Sequence, residues 1–408
     1  MPIHRREFEP DAQGPLKGVQ VIDMSRLIAG NTLTMVLADY GAEVVKIELP
    51  KGDPLRDWKT SGVETYWKTL ARNKKSLCLD MRRPEAVEIV KDLVKQADVF
   101  VEGFRPGSLE TMGLAPEILL ELNPKLVVVR ISGFGQSGPY RDRPGFGALV
   151  EGMTGFAASI GYADREPLMP NFPLADSFAA YAGVGAVLVA LRHIETAGGQ
   201  GQVIDLPLLE PMFGVLGPQA AAYRLTNKVR QRSGNRSMLT APRGAYRCKD
   251  GRYVAVSTAI QSMAERLFHA IGRPDLVTDP RYSTFEKRAA HADELDAIMQ
   301  EFLNTLTQEE AVAHFTAVDV TVGPIYDISQ IIEDDHFIER EVLVEVEDDD
   351  MGSVPISGLP VRLSETPMHL YRPAPKKGAD RNEVLGWIGM SEDEAEKLTK
   401  AGIVIAPR

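Results

Sequence analysis

The stretch LADSFAAYAG, residues 174–183, sets one acid, Asp176, among apolar and small residues at the predicted start of an apolar helix over 176–194. Its plain reading is a helix N-cap, because a short acid accepts the unpaired amides of a first turn. A chemical reading uses the same place. The helix dipole and free N–H groups keep a carboxylate there ionised, and an ionised, partly desolvated carboxylate attacks an activated acyl group. A second stretch, ISGFGQSGPYRDRPGFG at 131–147, spaces Gly133, Gly135 and Gly138 as G-x-G-x-x-G directly behind the apolar run Leu126–Ile131. A dinucleotide site needs a helix N-terminus there for the pyrophosphate and an acid about twenty residues on. Pro139, Arg141 and Pro144 deny the helix, and the acid is missing. What remains is a glycine-rich turn, or a loop whose N–H groups approach a substrate carbonyl or its oxyanion.

Arg72, Lys74, Lys75, Arg82 and Arg83 bracket a predicted strand over 76–80. Such clusters are commonly solvated surface. Arg82, however, follows the carboxyl end of a parallel strand, where α/β proteins bind ligands, and Arg105 in EGFRPG is placed the same way after the next strand. A local patch there suits phosphates. The sequence has no hydrolase elbow, Walker A loop or HExxH, and its seven histidines, His193, His291 and His314 among them, are scattered.

The elements that must position these groups follow from periodicity. VQVIDM (19–24) and AEVVKIE (42–48) read as strands flanking a helix, a βαβ unit. Further strands are expected at 76–80, 98–102, 125–132 and 202–208, with helices over 84–96 and 116–122 between them. In EAVEIVKDLVKQA, Val87, Ile89, Val90, Leu93 and Val94 fall on one stripe. Short apolar runs alternating with amphipathic helices predict a parallel sheet covered on both faces, a Rossmann-like α/β domain. From Ala241 the character changes: GAYRCKDGRYVAVS alternates around Asp250-Gly251, a hairpin signal. Helices over 262–271, 290–306 and 309–316 follow. The expected division is a large domain from 1–224 plus 331–408 and a small α+β domain over 225–330. Strands near 351–364 and two short helices over 380–401 return the tail to the large domain.

With 408 residues, two domains is the natural expectation. A net charge of −11 argues against nucleic acid or an anionic membrane as the main partner. No run approaches membrane-span length, and residues 1–14 lack the apolar core of a signal peptide. Two isolated cysteines, Cys78 and Cys248, suit a reducing cytoplasm, and no cluster suggests a metal.

Taken together, PLKGVQVIDMSRLIAG, LADYGAEVVKIE, NKKSLCLDMRRPE, VFVEGFRPG, ELNPKLVVVRISGFGQSGPYRDRPGF, LADSFAAYAG, GGQGQVIDLPLLE, APRGAYRCKDGRYVAV and NEVLGWIGMSEDEAEKLTKAGIV resemble, in order and over nearly the whole chain, the family III CoA-transferases. That family is related to formyl-CoA and carnitine-CoA transferases. The resemblance implies a large α/β domain from both chain ends, a small inserted domain and an interlocked ring homodimer. It places the catalytic aspartate on Asp176 and coenzyme A, as acyl-CoA substrate, on Ile28, Ala29, Leu79, Asp80, Met81, Arg82, Gly103, Phe104 and Arg105, with no permanently bound cofactor. Ile28 stands where formyl-CoA transferase has a glutamine, and Thr111 and Leu49 where it has CoA-contacting arginines, which argues against formyl-CoA chemistry but not against CoA.

The implied reaction moves CoA from an acyl-CoA donor to a carboxylic acid acceptor through an acyl-aspartyl anhydride and an aspartyl-CoA thioester. Phe146-Gly147 with Glu151 hints at small dicarboxylates and succinyl-CoA as donor. The α-methylacyl-CoA racemases of the same family carry a G-H-D where this chain has Gly145-Phe146-Gly147, and phenylalanine carries no proton. A nucleotide-binding oxidoreductase built on the glycine loop, and a CoA-binding protein in which Asp176 only caps a helix, are the readings from other classes.

Overall fold

The computed structural model describes residues 3–236 and 240–407. The chain opens with β1 (Gln20–Met24), α1 (Ala29–Asp39) and β2 (Glu43–Glu48), the βαβ unit expected from its apolar runs. Then come β3 (Lys74–Cys78), α2 (Pro84–Val94), β4 (Val99–Glu102), α3 (Pro116–Leu122), β5 (Val127–Ser132), α4 (Gly147–Met153), α5 (Leu174–Ala197), β6 (Gln202–Pro207) and α6 (Leu209–Gly214). The six strands form one all-parallel sheet in the order β3-β2-β1-β4-β5-β6.

Alternation along each strand explains why both faces are covered. Val21, Val44, Val99, Val101, Val127 and Val129 face α1 and α5 in one buried cluster. Ile22, Val45, Leu77, Phe100 and Val128 face α2 and the C-terminal helices in another. Pro84 starts α2 at a position where its missing N–H costs nothing. The stripe of α2 buries Ala86, Ile89, Val90, Leu93 and Val94, while Val87, expected in the core, is half-buried and lines a cleft.

α5 is long and apolar enough to cross a membrane by length and composition. In this fold it is a core helix on one side. Ala179, Ala180, Gly183, Val187 and Ala190 are buried, and a Cβ on Gly183 would sit 2.5 Å from Leu33 and Leu206 side chains, so glycine permits the close approach of α1 and β6. Tyr181 and Val189 on the other side are exposed in the single chain.

The chain divides into two compact units, one of residues 1–156, 169–218 and 335–408, the other of 157–168 and 219–334. The second unit thus spans the expected small domain over 225–330 together with residues 157–168, 219–224 and 331–334. It holds α7 (Gln219–Thr226) and an antiparallel sheet of β7 (Arg243–Arg247), β8 (Tyr253–Ser257) and β9 (Val322–Ile325). Helices Gln261–Ala270, Ala292–Leu303 and Gln308–Thr316 bury Phe268, Met299 and Phe315 with it. The helix expected over 290–306 is Ala292–Leu303, and a further short helix, Phe285–Ala290, precedes it at His291. Back in the first unit, β10 (Leu343–Asp348) and β11 (Gly352–Ser357) form an antiparallel pair. Helices Arg381–Trp387 and Glu392–Lys400 pack Val384, Leu385 and Ala395 onto the sheet, the latter opened by a capping box of Ser391 and Glu394.

Candidate active site

The strand order reverses between β1 and β4, and an open α/β sheet binds ligands in the crevice beyond the carboxyl ends of the strands at that point. The loop leaving β1 there, Ser25–Ala29, is held from below by buried charges. Asp23 accepts from Lys46 at 3.1 Å and from Lys74 at 3.3 Å, with the Ser25 and Thr34 hydroxyls at 2.6 Å each. Burial pushes the Asp23 carboxyl up, but the two lysines and two hydroxyls overcome it and hold it well below the carboxylate range. Lys74 is pushed down to about 8 by burial, which the attraction of Asp23 only partly offsets. Asp53, also buried, lies 3.2 Å from Lys46 and accepts the Leu27 N–H at 3.1 Å, while Asn31 donates to Asp53 at 3.0 Å and to the Leu27 carbonyl at 2.6 Å. Those bonds hold Leu27 at a φ of 62°, a conformation a branched side chain adopts only when its surroundings impose it.

The same loop brings the first amide of α1, that of Ala29, near enough to the Asp176 carboxylate to favour its ionised form. Asp176 is not the N-cap of its helix. α5 starts at Leu174 after Pro173, so Asp176 is the third residue of the first turn. The capping role falls to Glu151 of α4, 2 % exposed, whose Oε1 accepts the Ala175 N–H at 3.0 Å. Nor does the dipole decide the proton affinity of Asp176. Burial, then the nearby negative charge of Glu151, pushes its carboxyl up to about 6, with its own N–H and that of Ala29 working against them. Sequence reasoning missed this because Glu151 lies on a different helix. Space at the carboxylate is tight: a Cβ on Gly147 would come 2.2 Å from Asp176 Oδ2. The glycine loop behind β5 packs as closely, a Cβ on Gly133 meeting the Gly145 Cα at 2.7 Å. No helix follows that loop until Gly147, so it offers no helix N-terminus to a dinucleotide.

Asp176 opens into a cavity of about 270 Å³ lined also by Arg26, Ala29, Gly103, Gly133 and Phe146. A larger cleft of about 910 Å³ runs beyond β3, lined by Leu49–Gly52, Asp80–Pro84, Val87, Lys91 and Thr111. A narrow seam bordered by Arg26, Leu49, Gly52, Met81 and Phe104 shares walls with both. Of the residues singled out in the sequence, Asp80, Met81 and Arg82 line the cleft, Phe104 the seam, and Ala29, Gly103 and Asp176 the cavity. Arg105 faces an adjoining hollow and donates to the Asp142 carbonyl at 2.8 Å. Ile28 and Leu79 are core side chains, Ile28 packing with Leu55 and Trp67, so only their backbones are available to a ligand.

The basic cluster splits. Arg72 and Lys74 are buried and paired with Asp39 and Asp23, and Lys75 pairs with Glu43 and Glu383. They are not a phosphate patch. Arg82 is exposed at the cleft, bound to Asp80, whose carboxyl its guanidinium holds down to about 2, and Arg83 lies exposed beside it. Among the described residues, no group of three or more His, Cys, Asp or Glu side chains is arranged for a metal ion.

A parallel sheet of this order, with ligand-sized hollows beyond the strand ends at its switch point, defines a ligand-binding α/β protein. The family model described as CoA-transferase family III matches residues 16–381, and the chain belongs to that family. It is 38% identical over 396 residues to the succinyl-CoA–D-citramalate CoA-transferase of Chloroflexus aurantiacus, spanning 96% of this chain and 98% of that one. With the α subunit of a succinyl-CoA–L-malate CoA-transferase of Chloroflexus aurantiacus it shares 36% over 399 residues, covering 96% and 93%. A crystal structure of a CAIB/BAIF family protein from Brucella suis superposes with a TM-score of 0.82 at 31% identity, over 92% of this chain and 100% of that one. The protein is a CoA-transferase, moving CoA from an acyl-CoA thioester to a free carboxylic acid.

Proposed function

We propose that Asp176 carries the CoA through covalent intermediates, with succinyl-CoA as donor and a small dicarboxylic acid as acceptor. The observation that carries this reading is the placement of Asp176: a half-buried carboxylate in a cavity at the switch point, with a cleft rimmed by Arg82, Arg83 and Lys91 beyond the same end of the sheet. The cleft suits the nucleotide end of CoA. A carboxyl raised to about 6 is still mainly ionised at neutral pH and is more basic, hence more nucleophilic, than an ordinary aspartate.

Asp176 attacks the thioester carbonyl, its oxygen forms the anhydride bond, and CoA leaves as thiolate. The thiolate then attacks the aspartyl carbonyl, giving aspartyl-CoA thioester and releasing the first acid as carboxylate. The acceptor carboxylate attacks that thioester, forming a new anhydride. Returning thiolate takes the acyl group and frees Asp176. Every step exchanges one activated acyl bond for another, so no ATP is consumed. The Ala29 N–H, already near the carboxylate, and the glycine loop at Gly133 and Gly145 are the donors for the oxyanions. Phe146 on the cavity wall offers no proton to a substrate α-carbon, which favours transfer over racemisation.

The positions proposed to hold CoA are Asp80, Met81, Arg82, Gly103, Phe104 and Arg105, with the backbones of Ile28, Ala29 and Leu79. A homodimer is the proposed assembly: α7 has no buried residue, and Leu225 at 86 % and Val229 at 69 % are exposed apolar side chains that a partner would cover. Two free, buried cysteines accord with a cytoplasmic setting.

The test is mass spectrometry after incubation with a panel of acyl-CoAs and a hydroxylamine quench. A hydroxamate on Asp176, absent in Asp176→Asn, is the expected result. Exchange of an α-proton with deuterated water and no adduct would instead make the enzyme a racemase.

A further inference from the structure

A dicarboxylic substrate brings a second carboxylate that does not react, and a cavity walled mostly by apolar groups holds it best where a donor meets it. The wall around Asp176 is apolar or backbone over most of its area. Of its two hydroxyls, Ser25 donates to Asp23, while Ser132 accepts from the Gly135 amide and carries no charge to offset an anion. Among the described residues that line the cavity, Asp176 is the one anion and Arg26 the one cation.

The more buried cations in this part of the fold are already paired. Lys46 and Lys74 are bound to Asp23, Arg56 to Glu48 and Glu64, and Arg130 to Glu102 and Glu110. Arg26 has no hydrogen bond or ion pair among the described residues. Its guanidinium lies over the Phe104 ring at 5.0 Å, a face contact that orients the plane and leaves the N–H edges free. Its backbone cannot wander, because the Leu27 amide next to it is tied to Asp53.

We infer that Arg26 recognises the non-reacting carboxylate of small dicarboxylic donors and acceptors, and so sets the substrate class of this cavity; the inference rests on CoA transfer at Asp176. A guanidinium fork takes a carboxylate through two parallel hydrogen bonds, and Lys cannot reproduce that geometry. With about 270 Å³ available, the cavity holds a short acyl chain and places its far end beside the cation. Arg26 is exposed at the mouth of the cavity, and a purely apolar acyl chain offers its guanidinium no partner.

The experiment compares succinyl-CoA with butyryl-CoA, which has a methyl group in place of the second carboxylate, at a fixed acceptor, in the full-length enzyme and in Arg26→Gln and Arg26→Lys. The wild type is expected to prefer succinyl-CoA in kcat/KM. In Arg26→Gln that preference should fall about 10- to 100-fold, the value of a hydrogen bond to a charged group, with Arg26→Lys between. An unchanged preference, or an equal loss on both donors, overturns the inference, the latter because it assigns Arg26 to the CoA moiety they share. The Asp176 hydroxamate is followed in parallel. Its absence from the wild type with both donors would overturn the covalent reading itself and this inference with it. Its presence alongside an unaltered preference would remove only the role of Arg26.

Discussion

Asp23, fully buried, and Asp176, half-buried, are carboxylates at the same end of the sheet, separated by the loop 25–29. Asp23 meets Lys46, Lys74 and two hydroxyls, and is held ionised far below its usual range. Asp176 meets Glu151 and two backbone amides, and is held up at about 6. Burial acts on both in the same direction; the charge of the neighbours decides the outcome. A matched buried acid fixes geometry, here the loop that carries Arg26 and the Ala29 N–H. An unmatched one keeps unspent reactivity at a cost in stability.

Removing the match below the loop should have the largest effect on folding. Asp23→Asn strands Lys46 and Lys74 without their shared counter-charge, and losing one partner of a buried ionic group costs about 3–5 kcal/mol. A chemical denaturation midpoint close to wild type would show that the two lysines find other partners.

The opposite sign is expected above the loop. The native Asp176 carboxyl titrates near 6 and the unfolded one near 3.8, so the folded state binds the proton more tightly and stability falls as pH rises from about 4 to about 6. Asp176→Asn removes that penalty. It should be the more stable protein at pH 7.5, by up to about 2–3 kcal/mol, and lose the advantage near pH 4. Melting curves at the two pH values check this, and a variant less stable at pH 7.5 would contradict it.

The smallest effect sharpens the cause. Glu151→Gln keeps an oxygen to accept the Ala175 amide but deletes the charge beside Asp176. The acid limb of kcat/KM, where Asp176 becomes protonated, should move to lower pH by roughly one unit. An unmoved limb would leave burial as the sole cause of the raised proton affinity.

Much of this site was legible before any coordinates. The apolar runs ending at Met24, Glu48, Glu102 and Ser132 are strands of one parallel sheet, and their alternation follows from the burial of both faces. Asp176 stood out because an acid in an apolar, small-residue helix needs a reason. Gly147 and Gly133 were visible as glycines, but the atoms that forbid a side chain there belong to Asp176 and Gly145.

Composition and periodicity thus determined the α/β class, the strand and helix sequence and the candidate nucleophile, since each depends on neighbours along the chain. Tertiary structure decided which charges work and which merely hold. Lys74 and Arg82 looked alike in one basic run, yet one is locked beneath the sheet's crevice and the other is exposed at the rim of a cleft. The proton affinity of Asp176 was set by burial together with Glu151 on another helix, and the freedom of Arg26 by the pairing of the buried cations near it. Electrostatic free energy depends on distance and burial in space, and segments far apart in sequence supply both.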